Sequence, residues 1–333
     1  MALFSFSNPQ SILAAVFVLS GAFVNGWTDA PVAITALVAT KTMPIKKAAL
    51  LAGVFNMLGA IAFIFINQNV ALTVFNIANL GGSSLLLSLL ISSLAAVNIW
   101  SVAAWFFGLP TSESHGVLAA LSGASFFLFK NFSGINFYGW LNVLAGMLIS
   151  IAIGFLLSFL FTKIFLKTKN FLPKNIKRLK IVSSAFLAFM HGAQDSQKFA
   201  GLFMLVLFSN KYSANSITVP VWCAGLIGFI ISIGTAIAGT RIINKTGTKM
   251  VELSDVSGLC SNLASAFAMF FSSLLGLSVS TTHCSSASLI GATVSAKKRV
   301  SIKDTLQLVF AWALTFPACF FISYLICAIT LST

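Results

Sequence analysis

Hydrophobic runs long enough to cross a bilayer alternate with short polar breaks along most of this chain. Ten can be read: Ser11–Thr40, Ala48–Ile66, Ser84–Phe106, Ser112–Phe129, Phe137–Phe165, Ile181–Ser209, Ile217–Gly239, Val256–Leu275, Thr281–Ala296 and Thr305–Leu331. About 20 apolar residues in a helix match the hydrocarbon thickness. The pattern therefore predicts an all-α polytopic membrane protein. Two runs carry polar clusters in their middles. One is Asn25-Gly26-Trp27-Thr28-Asp29-Ala30-Pro31, and the other is His191-Gly192-Ala193-Gln194-Asp195-Ser196-Gln197-Lys198. Ionisable groups at membrane depth are costly and mark substrate or ion paths. Proline removes a backbone donor and glycine loosens a turn. The pattern predicts two half-helices meeting at Asp29 and an unwound stretch at Asp195, the broken midplane helices in which transporters build sites.

The clusters recur at a fixed distance. Asp195 follows Asp29 at an offset of 166. His283 in Ser278-Val279-Ser280-Thr281-Thr282-His283 follows His115 in Pro110-Thr111-Ser112-Glu113-Ser114-His115 at an offset of 168. Similar offsets for two unlike motifs argue for a duplicated unit. We divide the chain into a first membrane repeat (1–166), a basic linker (167–180) and a second membrane repeat (181–333).

Charge then fixes the relation of the halves. Of 20 Lys and Arg, 17 fall in the loops 41–47, 163–180, 240–256 and 296–303, and two in the loops 67–83, 127–136 and 209–216. Basic loops face the cytoplasm. Equivalent loops of the two halves then lie on opposite sides, as expected of two inverted-topology repeats with five crossings each. The linker would be cytoplasmic and both termini external.

Composition narrows the function. The chain is 58% hydrophobic and 8% charged, where a soluble domain carries roughly 25% charged residues. The net charge of +14 sits in loops that set topology, so nucleic acid is not an expected partner; the lipid bilayer is. No cleavable leader is evident in the stretch Met1–Asn25, which lacks a charged start and a clear small-residue cleavage site. The five cysteines have no C-x-x-C spacing and imply packed thiols rather than a metal or disulfide framework.

The chemistry gathers in the four motifs, which hold all three histidines and three of the six acids. Carboxylates meeting near a midplane repel one another and persist only with a compensating cation, proton or base. Lys198, three residues after Asp195, is one such base. Ser112, Ser114, Ser280, Thr281 and Thr282 open two spans. A hydroxyl there caps the helix, and an oxyanion bound there gains amide and hydroxyl donors together. His115 and His283 fit two roles equally, donating to an anion or bonding a neighbouring helix.

The motifs also resemble those of a known family. The cluster HGAQDSQKFAG is similar to the H-G-x-N-D-A-Q-K-x-x-G signature of the inorganic phosphate transporter (PiT) family in its bacterial branch. NGWTDAPVAITALVATKTMP, GLPTSESHG and LSVSTTHCSSASLIGA resemble that family's remaining segments, in order, over nearly the whole chain. The resemblance implies phosphate and cation ligands at Asp29, Asp195, Ser112, Ser280, Thr281, Thr282, Gln197 and Lys198. Thr28, Ser114 and Gln194 join them within the same motifs, and Asn25, His115, His191 and His283 are supporting candidates. Coupling-ion candidates are Asp29, Glu113 and Asp195, with Na⁺ at Asp29 and Asp195. This chain departs from the pattern at Pro31, at Val32, where the family has asparagine, at Glu113, where it has a small hydroxyl residue, and at Gln194 and Ser278.

The expected function is secondary active uptake of inorganic phosphate with H⁺ or Na⁺ by alternating access, at the plasma membrane. Phosphate keeps a proton near neutral pH and can donate it in a hydrogen bond to a carboxylate, which sulfate cannot. A sulfate permease on the same fold is the alternative, ahead of a membrane-embedded enzyme using His191 or His283, or a passive anion channel. No cofactor is expected beyond the coupling ion, and a homodimer is compatible with such a chain.

Overall fold

The computed structural model describes residues 8–78, 85–132, 135, 137–167, 175–208, 218–237 and 240–331. The described elements are helical: α1 (Pro9–Thr28), a 3₁₀ turn (Ala30–Ile34), α2 (Thr35–Ala39), α3 (Ile45–Phe63), α4 (Asn69–Ala78), α5 (Leu86–Phe106), α6 (Glu113–Phe129), α7 (Phe137–Lys167), α8 (Ile176–Leu207), α9 (Val221–Ala236), α10 (Thr240–Asn244) running into a π-helical stretch (Lys245–Met250), α11 (Asp255–Leu274), α12 (Thr281–Ser295) and α13 (Ile302–Leu331). Among them six are long and apolar enough to cross a membrane, or seven with the bent pair Val221–Ala236 and Thr240–Met250 taken as one. The chain is a multi-pass membrane protein. Exposed leucines, isoleucines and phenylalanines on α7 and α13 form the lipid-facing surface.

The two halves follow the same order in opposite directions. The helices α1–α2, α3, α5, α6 and α7 correspond to α8, α9, α11, α12 and α13. They interlock: α1 packs on α9 and α3 on α8, while α6 packs on α13 and α12 on α7. Gly108 and Gly276 are related by the same offset as His115 and His283. Both turn the chain with φ of +70°, a conformation open to glycine at little cost. Each turn precedes a hydroxyl motif. The helices that follow, α6 and α12, have 17 and 15 residues. At roughly 1.5 Å per residue they fall short of the bilayer, and they start at depth.

Polar contacts mark one end of the bundle. Lys180, fully buried, reaches from α8 to Asp255 at 2.5 Å and to Thr40 at 2.7 Å, and also bonds Thr42. Lys245 pairs with Asp304 at 2.6 Å and Lys298 with Glu252 at 3.1 Å. The opposite end is apolar, with Ala14, Leu87, Leu121, Leu202 and Cys327 in one cluster. The offset of 166 pairs Lys180 with Ala14, so the polar tie has no counterpart at the apolar end.

The structure corrects two expectations. The chain breaks at Asp29, where α1 ends and the 3₁₀ turn begins, but α8 runs unbroken through Asp195. Gly192 there provides a crossing: a Cβ on it would stand 2.1 Å from the carbonyl oxygen of Asn56. Gly26, its equivalent in the first half, meets Ile231 O in the same way at 2.0 Å. Both glycines let backbones touch rather than unwind. The second correction is α4 and the Thr240–Met250 pair, helical where loops were expected. Of the linker, Lys167 closes α7 and Ile176–Lys180 opens α8. The rest of it, 168–174, lies outside the described residues, as does the loop 209–216.

Candidate functional site

Asp195 lies near the middle of α8, 2% exposed, and gathers donors from both halves. Lys198 Nζ donates to Oδ1 at 2.6 Å. Asn25 Nδ2 on α1 donates to Oδ2 at 2.9 Å, and Thr281 Oγ1 on α12 donates to the same oxygen at 3.1 Å. His191 Nε2, one turn earlier, stands 3.2 Å away. Lys198 also donates to the carbonyl of Val279 at 2.7 Å. The second hydroxyl motif is thereby tied to the acidic cluster.

Asp29 caps the end of α1, its backbone N–H on Asn25 O at 2.8 Å. Proline at position 31 ends the α-helical ladder, and the chain continues as the 3₁₀ turn. Thr28 donates to Val24 O at 2.9 Å and stands 3.2 Å from Asp29 Oδ1. Glu113 begins α6. It is buried beside Asn25, and its carboxylate oxygens make no hydrogen bond of normal geometry among the described residues. Asp29, Glu113 and Asp195 are close enough to interact electrostatically. Three carboxylates face one ammonium, an excess of two negative charges when all are ionised.

The hydroxyl motifs divide by role. Ser280 caps α12, accepting from His283 N at 3.2 Å. Thr282 spans the pseudo-two-fold relation, donating to Thr111 O at 2.7 Å. Ser112 is the counterpart of Ser280 in the first half, yet its hydroxyl caps nothing and has no partner among the described residues. It is free for a ligand. His115 and His283 stack with ring centres 5.0 Å apart, and His283 lies against Trp312 at 3.9 Å. Their rings pack the two motifs together.

A cavity opens between these elements, about 560 Å³ including its mouth. Its polar wall is Asn25, Asp29, Ser112, Glu113, Ser114, Asp195, Lys198, Ser278, Ser280 and Thr281. Val74, Val117, Leu118, Leu121, Val143, Phe199 and Leu202 complete it. Of the sequence candidates, Thr28, Gln194, Gln197, Thr282 and the three histidines stand outside this wall. Gln194 donates to Leu277 O at 3.3 Å, and Gln197 is buried. The apolar wall was not anticipated, because Val143 or Val117 reads as ordinary bilayer sequence. No group of three or more His, Cys, Asp or Glu side chains suited to a metal occurs among the described residues.

Known proteins resemble this chain along most of its length. A protein of Rhizobium meliloti (strain 1021) named "Probable low-affinity inorganic phosphate transporter" is 32% identical over 312 residues, 91% of each chain. A Bacillus subtilis (strain 168) protein of the same name is 28% identical over 314 residues, 92% of this chain and 93% of that one. A solved structure described as "The sodium-dependent phosphate transporter" superposes with a TM-score of 0.84 over 98% of this chain and 100% of its own, at 20% identity. That likeness is one of fold. The model of the phosphate transporter family matches twice, over residues 25–177 and 167–323. The two matches take in both copies of each paired motif, and the chain belongs to the phosphate transporter family.

Proposed function

We propose that this chain is a secondary active transporter that takes up inorganic phosphate with a coupling cation, H⁺ or Na⁺, by alternating access. Membership of a transporter family sets aside the membrane-enzyme alternative. The observation that carries the reading is the cavity wall where the halves meet: three carboxylates, one lysine and a set of hydroxyls within reach of a single small anion. An incoming phosphate adds negative charge to a site already in excess by two. Buried charge of one sign is prohibitive in a low dielectric. The anion therefore enters with compensating cations, and neither leaves without the other. That mutual requirement is coupling.

Ser112, Ser114, Ser280 and Thr281 supply donors to the anion, and Lys198 supplies charge. Asp29 and Asp195 hold the cation, and a monohydrogen or dihydrogen phosphate can donate to whichever carboxylate is left free. For alternating access the interlocked halves rock about this site. One route opens by releasing the polar tie at Lys180, the other by parting the apolar cluster. The site is complete within one copy, so a homodimer would pair two independent carriers.

Radiolabelled phosphate and sulfate uptake into proteoliposomes, with imposed Na⁺ or H⁺ gradients, tests the proposal. Phosphate accumulates above the equilibrium level under one of these gradients and sulfate does not. Accumulation of sulfate in preference to phosphate, or phosphate flux indifferent to both gradients, overturns it.

Orientation has its own test. The basic end is proposed as cytoplasmic. All five native cysteines are buried, so a cysteine at exposed Lys177 reports alone. A membrane-impermeant maleimide labels Lys177→Cys in inverted vesicles and leaves intact cells unlabelled; the reverse pattern inverts the topology.

A further inference from the structure

A second cavity, lined by basic residues, lies at the polar end of the bundle, away from the transport site. It is open to the surface and holds about 610 Å³ of space. The last residues of α5 form one side, and α10 with the π-helical stretch forms the other. Arg241, Lys245 and Lys249 project into it with Asn244, and Phe106 and Phe107 edge it.

Its charges are unevenly answered. Lys245 is held by Asp304 at 2.6 Å and by Gln307 Oε1 at 2.5 Å. Lys249 is exposed and makes no salt bridge among the described residues. Arg241 gives one N–H to Phe106 O at 2.7 Å. Its guanidinium lies 4.8 Å over Trp105 and 4.5 Å over Phe106. Stacking fixes the plane and leaves further donors for a bidentate acceptor, the geometry guanidinium offers to phosphate. Three cations against one carboxylate leave the cavity doubly positive.

The aromatic edge says what kind of anion fits. Phe106 and Phe107 are 63% and 74% exposed, and they meet edge to face at 6.1 Å. Phe106 ends a membrane-spanning helix. These rings therefore sit at the boundary between hydrocarbon and headgroups, with the cations just beyond them. A soluble anion gains nothing from such rings, whereas a phospholipid places acyl chain on them and phosphate on Arg241. Basic pockets between spans on the cytoplasmic side recognise anionic headgroups.

We propose that this cavity binds the phosphodiester headgroup of an anionic phospholipid, held by Arg241 and Lys249. Its occupancy bears on the transport site through one residue. Gly108, at φ +70°, lies against α10: a Cβ there would be 3.1 Å from Arg241 O. Four residues later the chain reaches Ser112, and then Glu113. A lipid that fixes Arg241 thus steadies the turn from which the first hydroxyl motif is hung.

The test uses the purified full chain reconstituted with phosphatidylglycerol in phosphatidylcholine, with lipid retention read by native mass spectrometry. One basic side chain that touches the bound headgroup contributes roughly fivefold in affinity. Lys249→Gln lowers phosphatidylglycerol retention about fivefold and Arg241→Gln/Lys249→Gln about thirtyfold. Lys46→Gln/Lys47→Gln, equally exposed elsewhere on the basic end, leaves it unchanged. Lys249 has no ion-pair partner among the described residues to lose, so its variant separates binding from folding. Equal retention in Lys249→Gln and wild type, or an equal loss in the Lys46/Lys47 control, overturns the site. Displacement of phosphatidylglycerol by millimolar inorganic phosphate also overturns it, in favour of a soluble-anion site.

Discussion

Replacing Asp195 by asparagine abolishes gradient-driven phosphate uptake, with a fall of about a hundredfold or more, while the chain still inserts. The side chain keeps its shape and loses its charge. Lys198 then faces a neutral amide and the carbonyl of Val279, and the cation loses one of its two proposed ligands. Truncating one partner of a buried charge contact at a binding site costs about 2–5 kcal/mol of binding, and about 1.4 kcal/mol is a decade in an equilibrium, which brackets a hundredfold fall; the same change costs about 3–5 kcal/mol of stability. A general loss of stability would also depress uptake, and a second variant separates the causes. Asp195→Asn/Lys198→Met removes both members of the ion pair, so neither is left without the other. It is expected to recover thermal stability toward wild type and to recover no uptake. Phosphate accumulation at the wild-type level by Asp195→Asn would remove Asp195 from the site.

The positions of the site residues show why some motif members reach the cavity and others do not. On α8, Asp195, Lys198, Phe199 and Leu202 all line it, at spacings of three, four and seven. That is one helix face. Gln194 and Gln197 lie off that face, although they belong to the same motif. On α6, Glu113, Ser114, Val117, Leu118 and Leu121 form the corresponding face, and His115 turns away to stack on His283. A motif read as a string hides this phase. It becomes visible only once α8 is known to be continuous, and composition argued against continuity. Gly192 beside His191 and Asp195 reads as a break. In the fold, the flanking helix formers and the crossing with α3 keep the ladder intact, and the glycine serves the backbone approach to Asn56.

The architecture was more legible, because hydropathy and charge act over whole segments. The basic loops, the two offsets of 166 and 168, and the run lengths required opposed halves before any contact was known. What they missed was short. Neither α4 nor the Thr240–Met250 pair is long enough to register as a span, and each is positioned by packing: Ala71 O approaches Gly201, and Thr35 approaches Gly247.

Glu113→Gln is expected to separate phosphate exchange from proton-driven accumulation. Glu113 lies on the cavity wall beside Asn25, buried, near both Asp29 and Asp195. The resembling family pattern has a small hydroxyl residue there. Its carboxylate makes no hydrogen bond of normal geometry among the described residues, and the amide of Asn25 is the polar group beside it. With Asp29 and Asp195 offset only by Lys198, a proton on Glu113 removes one charge of the excess without needing a coordination shell. Val32 stands in the same half where the pattern has an amide ligand, which leaves that half fewer oxygens for Na⁺. A proton carried on Glu113 would make uptake rise as the external pH falls below the internal pH, about tenfold in accumulation per pH unit for each proton moved. Glutamine has the same shape and cannot carry that proton. Glu113→Gln should therefore lose this accumulation while phosphate–phosphate exchange stays within about twofold, since exchange needs no net proton movement. Serine at this position should behave alike in accumulation, which excludes an effect of the amide itself. A residue that only favours the start of α6 would contribute roughly 0.3–1 kcal/mol and would leave both activities in place. Normal pH-driven accumulation by Glu113→Gln would assign the coupling proton elsewhere or give the role to Na⁺ at Asp29 and Asp195.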